Sequence, residues 1–261
     1  MKEFFKKSLG QNFLIDKNII KKIVNLVDIK KKNVIEIGPG SGSLTDEIIK
    51  KKPKQIILFE KDSKLVEKLK LKYLYNKSVK IHQSDILKVD IEKKINKNTV
   101  VFGNLPYNIS SQILVKFLKF KKWPPKFDDV IFMFQKELGE KIICKYPSKN
   151  YGRISILTNY RLNILNKFYI SPNCFFPKPK VNSMIVHFYP KKKIQKNINI
   201  DNLEKITNII FSNKRKMINK NIKKIISYQK IQSIPDLSIK LRPSEITPEI
   251  YYKITELFEK G

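Results

Sequence analysis

Residues 33–51 read NVIEIGPGSGSLTDEIIKK, and this stretch decides the fold. Val34 to Ile37 make a short apolar run of strand length, and Gly38, Gly40 and Gly42 follow as a tight turn. SLTDEIIKK then places apolar residues at helical spacing. A strand that turns through glycines straight into a helix opens a βαβ unit. The turn matches neither common phosphate cradle. A dinucleotide site spaces its glycines G-x-G-x-x-G, and a P-loop ends in GK[ST]. Here the glycines fall at i, i+2 and i+4 with no such ending. Glycine lets a ligand approach the backbone closely. The turn therefore suits a ligand that presents no phosphate there, or it is only a tight structural turn.

The pattern repeats downstream. QIILFE (55–60) is a predicted strand ending in an acid, and DSKLVEKLKLKY (62–73) a helix. VKIHQSD (79–85) is a third strand, again ending in an acid, and TVVFGN (99–104) a fourth. SSQILVKFLKF (110–120) reads as a helix and DVIFMFQ (129–135) as a fifth strand. Upstream, Asp16 caps an amphipathic helix over NIIKKIVNLV. Such alternation predicts an α/β fold with a parallel, doubly wound, Rossmann-like sheet. Right-handed crossovers put all strand C-termini on one edge, where ligands bind. The glycine turn, Glu60, Asp85 and Asn104 all fall on that edge. Beyond residue 160, NILNKFYI and SMIVHFYP read as strands joined by SPNCFFPKPKVN. From Lys191 onward the text is helical and basic, with caps expected at Asp201 and Thr247. KKKIQKNI (191–198) is the expected boundary, giving a sheet domain over 1–190 and a small helical C-terminal domain over 191–261.

Composition narrows the function classes. The chain has 261 residues, 41% of them hydrophobic, enough for a substantial core. No stretch has the length and apolarity of a membrane span, and the N-terminal MKEFFKKSLGQNF has no apolar run typical of a secretory signal. Two Cys and two His, widely spaced, offer neither a metal-site pattern nor a disulfide framework, so a reducing, cytoplasmic setting is expected with no metal. The formal charge of +31 points to a polyanion, foremost nucleic acid. The signal is diluted, because only Arg153, Arg161, Arg215 and Arg242 are arginines and lysine is spread evenly along the chain.

FGNLPYNIS (102–110) poses the chemical question. Asn-x-Pro is ordinary turn chemistry. It also suits an exocyclic aromatic amine, a poor nucleophile because its lone pair is delocalised into the ring. Two acceptors facing its hydrogens favour the pyramidal, localised form. Asn104 offers a carboxamide oxygen, and the backbone C=O of Leu105 or Pro106 offers the second. Pro106 stiffens the loop and holds those acceptors in place beforehand. Tyr107 presents a face on which a base stacks, a contact worth ~1–3 kcal/mol. Glu60, 18 residues past Gly42, can take both hydroxyls of a ribose, and Asp85 can accept from an adenine amino group. Each acid also has a plain reading, Glu60 at a helix N-terminus and Asp85 in a turn. Together they describe an adenosyl ligand beside a base-methylating loop.

EIGPGSG, the acidic strand ends and NLPY resemble the class I S-adenosylmethionine-dependent methyltransferases. The early GQNFL (10–14) and late FFPKPKVNS (175–183) narrow this to the rRNA adenine N6,N6-dimethyltransferase family, with the resemblance covering nearly the whole chain. The resemblance implies S-adenosyl-L-methionine as cofactor. Gln11, Asn12, Leu14, Gly38 and Gly40 would lie about its methionine end, Glu60 at its ribose, and Asp85 with Ile86 at its adenine. Asn104, Leu105, Pro106 and Tyr107 would face the target base, Asn104 bordering the cofactor as well, and Phe175 would stack on that base from the other side, with Phe176 as the alternative. Within the family, LRPSEITPEIYYKITELF and FSNKRKMINKNI resemble the branch that dimethylates two adjacent adenosines near the 3′ end of small-subunit (16S) rRNA in an assembling subunit, with Lys214, Arg215 and Lys216 on phosphates. A resistance branch acting on large-subunit rRNA and a noncatalytic RNA-binding factor are the rival readings. A monomer is expected.

Overall fold

The computed structural model describes residues 12–194 and 197–261. A two-residue strand, β1 (Phe13–Leu14), precedes α1 (Lys17–Val24), whose N-cap Asp16 accepts from the N–H groups of Asn18 and Ile19. The alternation then runs β2 (Asn33–Ile37), α2 (Ser43–Lys50), β3 (Gln55–Glu60), α3 (Ser63–Lys72), β4 (Val79–Gln83), α4 (Ile91–Lys94), β5 (Thr99–Asn104), α5 (Ser110–Leu118) and β6 (Phe127–Gln135). α6 (Lys136–Ile142) and α7 (Arg153–Arg161) interrupt the strand pattern where no helix is expected. β7 (Leu162–Ile170), the short β8 (Phe175–Phe176) and β9 (Ser183–Pro190) follow. The chain closes with α8 (Ile200–Phe211), α9 (Asn219–Ile222), α10 (Tyr228–Gln232) and α11 (Pro248–Glu259).

Seven strands form one sheet in the order β4-β3-β2-β5-β6-β9-β7. β4, β3, β2, β5 and β6 run parallel, and β9 pairs antiparallel with β6. The central strands are apolar almost throughout, as strands covered on both faces must be. From β2 the chain winds outward through β3 and β4, then returns to pair β5 on the other side of β2. The switch point therefore lies between the C-terminal ends of β2 and β5, where Ile37 stands opposite Gly103. That geometry opens a crevice at the glycine turn and at Asn104.

Three of the differences from the sequence expectation have a visible physical cause. β4 ends at Gln83, because Asp85 turns the chain by accepting from the Leu87 N–H at 3.0 Å. The N-cap of α8 is Asn199, whose side chain accepts from the Asp201 N–H, so Asp201 lies in the first turn and its charge faces the helix dipole. The chain also divides differently from 1–190 and 191–261. One compact unit holds the described residues up to Gly139 together with Asn163–Pro190, and the other holds Glu140–Leu162 and Lys191–Gly261. Residues 140–162 side with the C-terminal unit because α7 packs on α8 and α11. Tyr160 meets Tyr252 at 5.1 Å between ring centroids, and Tyr252 donates to the Ile156 carbonyl.

In the sheet unit, α5 is fastened by aromatic packing. The Phe117 ring stacks on Phe120 and meets Phe127 and Phe132 edge-on, at centroid separations of 5.2, 5.9 and 5.4 Å. All four rings are buried. Phe117→Ala is expected to destabilise the unit by ~3–5 kcal/mol, through lost burial and a residual cavity. Urea titration followed by tryptophan fluorescence reads this as a lowered midpoint, and an unchanged midpoint would contradict the packing account.

Candidate active site

The crevice at the switch point is walled by the ends of β2, β3, β4 and β5 and by residues 12–14. Its floor is the glycine turn. Gly40 has φ +57, and a Cβ there would come within 2.5 Å of the Phe13 ring, so both backbone angle and space demand glycine. Gly38 donates to the Phe59 carbonyl at 2.9 Å, and a Cβ on it would sit 3.5 Å from the Asn104 carbonyl oxygen. The glycine turn and the NLPY loop thus approach each other backbone to backbone.

Glu60 closes the turn from the neighbouring strand. Its Oε2 accepts from the Gly40 N–H at 3.2 Å, and its Oε1 accepts from the N–H groups of Lys61 and Asp62 at 2.8 and 2.9 Å. Burial raises its pKa, and those backbone donors pull it back. Beneath the turn, Glu36 is buried and accepts from the Thr45 hydroxyl at 2.6 Å. Burial lifts Glu36 to about 7, opposed by the Thr45 bond. Tyr73 supports the far side, its hydroxyl 3.0 Å from the Gly42 carbonyl and 2.8 Å from Asp46. At the end of β4, Asp85 pairs with Lys61 at 3.0 Å, and that ammonium holds its carboxyl below the ordinary range. Ile86 is buried on the crevice wall. The Ser84 hydroxyl oxygen is buried without a partner on the same wall.

The NLPY loop stands opposite. The Asn104 amide nitrogen donates to the Asn12 carbonyl at 3.0 Å. That bond orients the carboxamide and leaves its oxygen as the acceptor. Leu105 buries its side chain in the core, so only its backbone is offered to the crevice. The Pro106 carbonyl already accepts from the Ile109 N–H at 3.1 Å. Tyr107 shares a hydrogen bond with the Ser183 hydroxyl, which fixes its ring, and burial raises its pKa. Ser183 is the last residue of the FFPKPKVNS motif, and its tie to Tyr107 is invisible at a separation of 76 positions.

The structure brings Asn12, Leu14, Gly38, Gly40, Glu60, Asp85, Ile86 and Asn104–Tyr107 to one crevice. Gln11 lies outside the described residues. Phe175 stands apart from these residues. Its ring is buried among the core side chains and its backbone pairs with Leu14, so it is absent from the crevice wall. A two-residue strand sends neighbouring side chains to opposite faces, and it is Phe176 that is exposed, at 37%. Lys214, Arg215 and Lys216 are exposed on the turn after α8. Glu36, Lys61, Ser84 and Ser183 join the site from the structure. Among the described residues no cluster of His, Cys, Asp and Glu can hold a metal, and no helix is long and apolar enough to cross a membrane.

These groups fit an adenosyl ligand on their own chemistry. The crevice presents a glycine cradle without phosphate-binding spacing, carboxylates from adjacent strands at Glu60 and Asp85, and the orphaned Ser84 hydroxyl on the same wall. Comparison with known proteins agrees. A profile of the family described as "Ribosomal RNA adenine dimethylase" matches residues 2–260. The chain is 43% identical over 255 residues to the ribosomal RNA small subunit methyltransferase A of Pelagibacter ubique, covering 97% of each chain. The crystal structure of a dimethyladenosine transferase from Plasmodium falciparum superposes with a TM-score of 0.76 at 25% identity, covering 95% of this chain and 98% of that one. The 23S rRNA methyltransferase ErmE shares the fold at a TM-score of 0.66 and 20% identity, covering 95% of this chain and 99% of its own.

Glu36 generates a pH prediction. Its folded pKa, about 7, lies above the 4.5 of a free carboxyl. The folded state therefore binds the extra proton, and stability falls as pH rises through that window. Glu36→Gln keeps an acceptor for Thr45 without a charge to bury. The substituted, cofactor-free protein is expected to melt several degrees above wild type at pH 8.5, a gain of up to ~3 kcal/mol, with the difference vanishing near pH 4.5. Scanning calorimetry across that range checks it, and a pH-independent difference would refute the cause given.

Proposed function

The chain belongs to the ribosomal RNA adenine dimethylase family, and on that premise we propose that it converts two adjacent adenosines near the 3′ end of small-subunit rRNA to N6,N6-dimethyladenosine, acting on an assembling subunit in the cytoplasm. Family membership makes it an S-adenosylmethionine-dependent rRNA adenine methyltransferase. The bound cofactor supplies an electrophilic methyl group on a sulfonium. The choice of the small subunit rests on the name of the 43%-identical relative, against only a fold-level likeness to the 23S enzyme.

The observation that carries the catalytic reading is the Asn104–Asn12 bond. With its NH2 committed to a carbonyl, Asn104 accepts one N6 hydrogen through its oxygen. The Leu105 carbonyl takes the other, since the Pro106 carbonyl already serves Ile109. Both acceptors are neutral, so the amine attacks uncharged, with its lone pair localised, and loses its proton afterwards. Tyr107, its ring pinned through Ser183, stacks on the unstacked base. Phe176 replaces Phe175 as the ring on the opposite face. A first methyl removes one N6–H, so the second transfer proceeds with one acceptor contact fewer. Lys214, Arg215 and Lys216 contact rRNA phosphates and set register rather than sequence.

Incubation with S-adenosylmethionine and unmethylated small or large subunits, followed by digestion and mass spectrometry, tests the substrate. Dimethyladenosine from the small subunit alone is expected, and product from the large subunit alone would overturn the choice. Asn104→Ala is expected to abolish turnover while RNA affinity, read by filter binding, stays within about threefold, as for a contact made chiefly in the transition state. Normal turnover would remove Asn104 from the chemistry. Phe176→Ala should lower turnover about tenfold or more, the scale of one lost base stack, with an unchanged melting temperature. Phe175→Ala should instead lower the melting temperature, since it empties core volume.

A further inference from the structure

The end of the crevice between β3 and β4 holds an arrangement that the catalytic reading does not use. The two strands leave the sheet side by side, with Glu60 opposite Gln83 and the Ser84 N–H donating to the Glu60 carbonyl at 2.8 Å. Lys61, one residue past the end of β3, and Asp85, two past the end of β4, reach across to each other. Lys61 Nζ lies 3.0 Å from Asp85 Oδ2, and both residues line the crevice. Lys61 is 60% exposed at its side chain and Asp85 20%, so the pair stands at the mouth.

We propose that Lys61 is a positioning residue of the cofactor's purine subsite, its ammonium setting the Asp85 carboxylate to accept from the purine's exocyclic amino group. This deepens the reading above and rests on its placement of the purine at Asp85. Asp85 Oδ1 takes the Leu87 N–H and Oδ2 takes Lys61, so one donor on each oxygen fixes the plane of the carboxylate and leaves further lone pairs outward. The loop that carries Asp85 is anchored separately, by Lys116 Nζ on the Leu87 carbonyl at 2.6 Å. Lys61 therefore governs the carboxylate and not the loop. Its four-carbon stem forms the outer wall of the subsite while the charged end stays in water. An ionised, oriented carboxylate makes a charge-assisted bond to a 6-amino purine. Against a 6-oxo purine it sets acceptor on acceptor, so Lys61 sharpens the choice of an amino over an oxo purine. An exposed ion pair adds little to global stability, so removing Lys61 reads on ligand choice and leaves the fold intact.

The experiment is isothermal titration of the whole protein with S-adenosylhomocysteine and with its deaminated, inosyl counterpart. Lys61→Met keeps the stem and removes the charge. It is expected to weaken S-adenosylhomocysteine about five- to tenfold, the scale of one charge-assisted hydrogen bond, while inosyl binding moves less than about twofold. Lys61→Arg should restore most of the preference. In an Asp85→Asn background, Lys61→Met should change nothing further. Unaltered adenosyl binding in Lys61→Met, or equal weakening of both ligands, would overturn the proposal. A wild-type protein that binds neither ligand would instead sink the cofactor reading beneath it, and an Asp85→Asn variant with an unchanged adenosyl-to-inosyl ratio would remove the purine from Asp85.

Discussion

The Glu60 carboxylate, buried at the end of β3, accepts from three backbone N–H groups: Gly40 of the glycine turn, and Lys61 and Asp62 of its own chain. A buried carboxylate is costly unless it is hydrogen-bonded. Here the bonds that make it tolerable also tie β3 to the turn after β2. Each strand end at the crevice is placed relative to that knot. Gly38 reaches back to Phe59 on the same strand, and Ser84 hangs from the Glu60 carbonyl. The carboxylate has two oxygens and more lone pairs than three donors consume, so it remains an acceptor for hydroxyl groups of a ligand. One side chain thus ties the fold together and still offers acceptor capacity to the crevice.

The rest of the crevice follows one rule: each polar side chain that faces it is held in orientation by a hydrogen bond to another part of the protein. Asn104 is turned by its bond to the Asn12 carbonyl, Asp85 by Leu87 and Lys61, and Tyr107 by Ser183. None of these bonds is local in the manner of a helix turn, apart from that of Leu87. They join segments separated by 92, 24 and 76 positions. Orientation fixed before the reaction need not be reached during it, which is the physical content of preorganisation. On the proposed reading no strong base is required, because an amine whose lone pair is localised by two neutral acceptors attacks uncharged and loses its proton afterwards.

Much of this was legible in the chain. The order strand, glycine turn, helix, acid-ended strand is a matter of local periodicity and backbone permissiveness, which sequence carries directly. β3 and β5 have the expected bounds to the residue, because their apolar runs stop at polar residues that belong on the edge. The Asp16 and Thr247 caps were equally visible, since a cap satisfies N–H groups within its own first turn. The harder choice was between Phe175 and Phe176. FF is two identical rings in adjacent positions, and nothing local says which one faces the core. The pairing of β8 with β1, 163 residues earlier in the case of Phe13 and Phe176, settles it.

By itself, then, the sequence determined the doubly wound sheet, the edge on which its polar strand-end residues gather and the residue types expected to meet an adenosyl ligand and a base. Those depend on period, spacing and chemical type, all one-dimensional properties. Tertiary structure decided which way each of those groups points and what holds it: Glu60 on Gly40, Lys61 on Asp85, Asn104 on Asn12, and Phe176 rather than Phe175 at the surface. It also moved residues 140–162 into the C-terminal unit. A hydrogen bond or a buried face is set by distance and direction in space, and residues that are far apart in the chain acquire both only when the sheet brings its strand ends together.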